Sequence, residues 1–219
     1  MIIRSKLSNE ELLNYIYAAT REYKKLLGRS FLLIGKNKKT DYYWFECSFR
    51  KKYFMHLLGI KSKTYTAEEF FDICIDYIEG KGNGITIKDC TPSRNHNRTT
   101  VNEKVSVCAE ILRIENAKYF KIGSKDKISQ YVDFAYAYGT NAILGFEREK
   151  ENSSFPITLI PKSIDTFSTK RYKVLFVLSR KISDEKFTKL YTTIKENLFE
   201  ELYMEFPEKL KNRILFPLI

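Results

Sequence analysis

The feature that most constrains the fold is a change of hydrophobic period along the chain. Up to about residue 114, a hairpin-like stretch and one short strand-like run apart, apolar residues mostly recur at steps of three and four, as on one side of a helix. Beyond residue 119 they gather in short runs of aromatic and β-branched residues bounded by Gly, Asn, Ser and charge clusters, the pattern of strands. A chain of helices followed by consecutive strands is expected to fold as α+β, its N-terminal helices packed on a mainly antiparallel curved sheet with one C-terminal helix closing it.

The individual elements follow from local chemistry. Ser8, Asn9, Glu10 and Glu11 read as a capping box, and Leu12, Ile16, Ala19, Tyr23 and Leu26 continue that helix to a stop at Gly28. Residues 30–34 and 42–45 flank the charged KNKKTD and predict a hairpin. In residues 49–60, FRKKYFMHLLGI, the apolar Phe49, Tyr53, Leu57 and Ile60 stand at helical spacing, with Gly59 as the stop. TAEE at 66–69 opens a helix striped by Phe70, Ile73, Tyr77 and Ile78 and ending at Gly80. ITIKD alternates like a short strand, and residues 91–100, TPSRNHNRTT, form a polar loop. Residues 101–114 return to helical period through Val101, Val105, Cys108 and Leu112.

Strand-like runs then occupy 119–122, 131–138, 142–146, 155–160 and 172–178. A last helix is expected from 184 to about 204, capped by Ser183 and stopped by Pro207, with RILFPLI docked as a tail. Nothing repeats and no linker interrupts the pattern, so residues 1–219 are expected to form one domain.

Composition bears on partners. The formal charge of +11, from 38 Lys and Arg against 27 Asp and Glu, favours a polyanion, with nucleic acid first, ahead of an anionic membrane surface or an acidic protein. A Lys-rich composition without any such partner is the plainer alternative. Cys47, Cys74, Cys90 and Cys108 lie far apart and in or beside apolar runs, which predicts buried free thiols in a reducing cytosol and no zinc site. The N-terminus MIIRSKLSNEE has no long apolar segment, and no run of about 18 apolar residues occurs, so neither a signal peptide nor a membrane span is expected and the protein reads as cytoplasmic.

Phosphate-loop, dinucleotide and zinc-protease motifs are absent from the sequence, so no cofactor or metal is expected. Metal-independent cleavage of RNA needs a base, an acid, and cations for the charge growing on the phosphoryl oxygens, all of which His, Lys and Arg supply. His56 is a candidate acid or base, or a histidine packing its helix on the sheet. Arg50, Lys51 and Lys52 either hold phosphates or form a solvated face. Lys104 stands alone as a cation beside an apolar helical face, reaching into a site or out of the core edge. Arg94 and Arg98 are loop cations that either meet phosphates or belong to a solvated turn, and His96 between them has the weaker case because nothing local positions it.

Several stretches together resemble a known family. FRKKYFMHLLGI resembles the F-x-H-L-x-G-[IL] signature of phage- and mobile-element-associated domains with the barnase, EndoU, colicin and RelE-like (BECR) nuclease fold. The likeness extends to ITIKD before the helix of Lys104, to AILGFE before FPITLIPKSI, and to KVLFVLSRK, covering roughly residues 8 to 192. The resemblance implies a toxin-like RNA-cleaving domain with a curved antiparallel sheet. By position it implies catalytic roles for His56, Lys104 and Ser163, and a basic pair at Arg180 and Lys181 for phosphate. The expected function is a metal-independent endoribonuclease that uses 2′-hydroxyl attack to leave a 2′,3′-cyclic phosphate. The alternative is a non-catalytic protein of a mobile element that binds RNA or a ribonucleoprotein, for example against host defence. An acidic antitoxin or immunity protein is an expected partner under either.

Overall fold

The computed structural model describes residues 2–38, 41–124, 134–138, 142–148, 153–162, 170–193 and 196–218. The first helix, α1 (Asn9–Leu26), is closed by the expected box: the Ser8 hydroxyl accepts from the Glu11 N–H at 3.1 Å, and the Glu11 carboxylate accepts from the Ser8 N–H at 2.8 Å. Its predicted stripe of Leu12, Ile16, Ala19, Tyr23 and Leu26 is fully buried. Strands β1 (Arg29–Lys36) and β2 (Tyr42–Ser48) form the predicted hairpin. Then come α2 (Phe54–Leu58), β3 (Ile60–Lys61), α3 (Ala67–Ile78), β4 (Thr91–Pro92) and α4 (Arg98–Ile111). Thr66 and Glu69 cap α3 reciprocally, as their spacing predicts.

The second half supplies β5 (Phe120–Ser124), β6 (Phe134–Tyr138), β7 (Ala142–Arg148), β8 (Ser153–Ile160), β9 (Arg171–Lys181) and β10 (Lys189–Thr193), then α5 (Glu196–Tyr203) and α6 (Glu208–Lys211). The large sheet runs β1-β2-β8-β7-β6-β5-β9-β10, and β1 also pairs with β9, so the sheet curls back on itself. Its neighbours are antiparallel except β2 and β8, which run parallel over Glu46–Ser153 and Cys47–Ser154. One parallel pair makes the sheet mixed and not purely antiparallel; it is mainly antiparallel, as expected, and the α+β class holds.

Both faces of β1 are buried, which is why FLLI reads as an unbroken apolar run. Phe31 and Leu33 join the first core with α1, α2, α3 and α4. Leu32 and Ile34 join a second core with Phe176, Phe187, Phe199, Phe206, Leu210 and Ile214. All four cysteines are buried free thiols, and burial pushes Cys74, Cys90 and Cys108 up to about 12. Among the described residues no helix is long and apolar enough to cross a membrane.

Three expected elements differ. Residues 49–60 are not one helix: Phe49 bridges to Leu27 and Arg50 is extended (φ −130°, ψ 140°), so the chain passes through a 3₁₀ turn at Lys51–Tyr53 before α2 begins. Phe49 is buried edge-on against Tyr23 and Phe31, and the Tyr23 hydroxyl donates to the Arg50 carbonyl at 2.8 Å, fixing that extended approach. ITIKD is no strand, because the Asp89 carboxylate takes both the N–H and the hydroxyl of Thr86 and closes a 3₁₀ turn at Ile87–Asp89. The single helix of 184–204 is replaced by β10 and α5. Phe187 is buried in the second core, and its backbone bonds to Arg213 and Leu215, so this segment is tied to the C-terminal tail and cannot wind.

Candidate active site

The site is built where α2 ends. Gly59 adopts the left-handed conformation (φ 71°, ψ 24°), and its N–H closes the helix on the His56 carbonyl at 3.0 Å. A glycine serves here because that conformation penalises a Cβ. The turn directs the chain into β3, which pairs with β4 through Ile60–Pro92 and Lys61–Thr91. This ribbon continues into the loop 93–97, whose first residue donates its backbone N–H to the Gly59 carbonyl at 2.9 Å. The loop residue His96 is thus delivered against Gly59 by a pairing between distant parts of the sequence.

Gly59 also sets how close the side chains come. A Cβ placed on it would stand 2.9 Å from His96 Cδ2, 3.4 Å from His96 Nε2 and 3.0 Å from Lys104 Cδ. The His96 ring and the Lys104 stem therefore pack directly on the bare backbone. His96 Nδ1 lies 2.9 Å from the Ser93 hydroxyl, which leaves Nε2 as the nitrogen nearest the cluster. Asn97 caps α4 by accepting the Thr100 N–H at 2.8 Å, and Lys104 projects from the second turn of that helix. His56, on α2, completes a group holding both histidines of the chain.

The electrostatics are unusual for a cluster that serves packing alone. Lys104 is 4% exposed, and no carboxylate or hydrogen-bond partner for its ammonium occurs among the described residues. Burial pushes its pKa down to about 8. Burial and then the Lys104 charge lower the pKa of His56, a residue that still keeps an exposed surface. For His96 the causes are burial, then Lys104, then His56. Three groups able to carry positive charge are held together, an arrangement whose mutual repulsion a bound anion would relieve. No group of three or more His, Cys, Asp or Glu converges as a metal set among the described residues.

The other expected residues are distributed around the molecule. Arg94 is exposed in the turn two residues before His96. Arg98 donates to the Asn9 side chain at 3.2 Å, against α1. Arg50 is exposed, its guanidinium 3.9 Å from the centroid of Phe155, while Lys51 pairs with Asp72 at 2.6 Å and Lys52 lies over the Tyr53 ring. Arg180 is on the opposite face of the sheet, bonded to Glu46 at 2.7 Å and to the Asp184 carbonyl. Lys181 is exposed at the end of β9. Ser163 lies outside the described residues. The structure thus brings His56 and Lys104 together and adds His96, for which the sequence offers the weaker case, and Ser93, for which it offers none. Ser93 and His96 are three apart just after Pro92, a local signal that gains meaning only once β4 pairs with β3.

Helices packed on both faces of a curled sheet, with imidazoles and an ammonium that has no partner among the described residues gathered at a helix end, define a small α+β protein of the nuclease-fold class. The family described as phage-Barnase-EndoU-ColicinE5/D-RelE like nuclease4 (PBECR4) matches residues 15–196, and the chain belongs to it. His56, Ser93, His96 and Lys104 all fall inside that span. No curated protein and no solved structure matches the chain.

Proposed function

We propose that the protein is a ribonuclease that cleaves RNA without a metal ion, by attack of the 2′-hydroxyl on the adjacent phosphorus. The observation that carries this reading is the packing of His96 and the buried Lys104, which has no partner among the described residues, on Gly59, with His56 coupled to both. In the proposed step one imidazole removes the 2′-hydroxyl proton as the O2′–P bond forms. The second imidazole, protonated once the anionic substrate is bound, gives its proton to the departing 5′-oxygen as the P–O5′ bond breaks. The products are a 2′,3′-cyclic phosphate and a free 5′-hydroxyl. Lys104, still mostly protonated at neutral pH, holds the phosphoryl oxygen on which charge grows.

Membership of a nuclease-fold family supports the reaction class, and a neutral base, a proton donor and a desolvated cation support the route. Arg94, Arg50 and Lys52 are proposed as outer phosphate contacts; Ser163 remains a proposal from the family resemblance alone. A toxin-like role, with an acidic protein covering the basic surface, belongs to the same proposal.

The test is incubation of the purified chain with labelled tRNA and mRNA in excess EDTA, followed by analysis of the product ends. Cyclic phosphate termini that disappear in folded His56→Ala, His96→Ala and Lys104→Met variants are expected. Termini that persist in all three remove this site. Intact RNA retained in a salt-sensitive complex would replace the nuclease reading with that of a binding protein.

A further inference from the structure

The second face of the sheet carries a pocket away from the histidine cluster. Along β2, Phe45 and Cys47 enter the first core, so Trp44 and Glu46 face the C-terminal helices, as strand alternation requires. Trp44, Glu46, Arg148, Lys209, Asn212 and Arg213 line a cavity of about 370 Å³, within the size range of small-ligand pockets. Glu46 is buried and shared between Arg180, at 2.7 Å, and Arg213, so its carboxylate is already more than balanced. Arg148 and Lys209, both exposed, add two further cations. Trp44 is half-buried, packed against the second core while also lining this cavity.

A chain of neighbouring surfaces joins the pocket to the cleavage centre. Arg148 also lines a smaller hollow of about 200 Å³ with Tyr53, Glu147, Phe155 and Ile157. Tyr53 and Phe155 lie 5.7 Å apart there, and Arg50 stands over Phe155. Tyr53 is three residues before His56, one helical turn away on the same side. From His56 the surface therefore runs over Tyr53 and the Arg50 guanidinium, which covers the buried Phe155 ring, to Arg148, and on to Trp44 with Lys209 and Arg213. Aromatic faces interleaved with cations are the chemistry that holds single-stranded nucleic acid, since bases stack on the rings while cations follow the backbone.

We infer that the Trp44 pocket binds one nucleotide of a single-stranded polynucleotide, its base against the indole and its phosphate among Arg148, Lys209 and Arg213. The identity of the strand as substrate rests on the proposed nuclease reading, whereas the pocket's chemistry does not. The Asn212 amide is placed to meet a base edge, and the subsite would give the protein a preference for long, unpaired RNA over short fragments.

Trp44 is the sole tryptophan of the sequence, so the intrinsic fluorescence of the full chain reads the pocket directly. The probe is a 2′-O-methyl oligouridylate of about eight nucleotides, a length comparable to single-strand sites in other proteins, and it lacks the hydroxyl needed for the proposed cleavage. Saturable quenching is expected, weakened roughly tenfold or more in the Arg148→Ala/Lys209→Ala double variant, with the logarithmic salt slope reduced by about two. The same variant should raise KM for a long unpaired RNA and leave a dinucleotide substrate unaffected.

Absence of quenching, or quenching unchanged in the double variant, overturns the inference. Equal quenching by inorganic phosphate alone reduces the pocket to an anion site, and equal quenching by polyglutamate makes it a protein-docking surface; either result also overturns it. Quenching with no RNA cleavage leaves the subsite standing and removes the nuclease reading, while cleavage without quenching removes the subsite alone.

Discussion

Lys104 shows most directly how the candidate site conflicts with folding. A lysine 4% exposed with its pKa at about 8, below the ordinary 10.5, destabilises the folded chain. Between those two values the unfolded chain holds a proton that the folded one has released, so stability should rise as pH climbs from about 8 to 10.5; below pH 8 the whole penalty is present. Lys104→Met keeps most of the side-chain volume and removes the charge. It should stabilise the protein by roughly 2 kcal/mol at neutral pH in urea unfolding, flatten the alkaline rise, and lower cleavage by roughly a hundredfold or more. Unchanged stability would mean that the ammonium is not desolvated. The same charge lowers both histidines, and because the chain contains two histidines their ring signals are easily followed by NMR. Both should titrate below the ordinary 6.5, and both should move upward in Lys104→Met; a histidine that does not move lies outside the cluster. His56 and Lys104 are legible in the sequence because each is the odd residue at the edge of an apolar helical face. His96 is not, because its position depends on a long-range ribbon that leaves no periodic trace.

At the scale of elements, the legible parts are those whose signals are closed within a few residues. The boxes at Ser8–Glu11 and Thr66–Glu69 and the stop at Gly59 all depend on bonds between near neighbours. Elsewhere distant partners decide the outcome: Leu27 and Tyr23 hold the approach to α2 extended, and the C-terminal tail ties down Phe187 where the sequence predicts a helix. ITIKD misleads for a third reason, since its alternation is real but the Thr86–Asp89 turn uses the backbone first. Two glycines separate backbone strain from packing at the site. A methyl added at Gly80 (φ 74°) would meet no atom within 4 Å, whereas one added at Gly59 (φ 71°) would meet the His96 ring at 2.9 Å and the Lys104 stem at 3.0 Å. Gly80→Ala should cost about 1 kcal/mol, the strain of the left-handed conformation alone. Gly59→Ala should cost roughly 2–3 kcal/mol, because packed atoms must also give way, and should reduce cleavage by displacing His96. Equal costs and equal activities would show that the cluster is not packed on Gly59.

For the molecule as a whole, the curled sheet separates two electrostatic arrangements of opposite character. On one face Lys104 is a buried cation with no carboxylate beside it among the described residues; on the other Glu46 is a buried anion held by the Arg180 and Arg213 guanidiniums. The family resemblance implies a phosphate role for Arg180; its side chain is engaged with Glu46, the Asp184 carbonyl and the Phe187 ring, contacts that tie the C-terminal elements to β2 and β9. Glu46→Gln keeps the shape and removes the charge, leaving two half-buried guanidiniums without their shared carboxylate. Loss of one member of a buried ion pair costs about 3–5 kcal/mol, so this change should destabilise the protein by an amount of that order while Lys104→Met stabilises it. The two positions share no partner and face different cores, and effects of such separated sites add to within about 0.5 kcal/mol. Urea unfolding of the double variant should therefore give the sum of the two single changes. A larger departure would mean that the curled sheet transmits strain between its faces, and that the C-terminal anchor also tunes the histidine cluster.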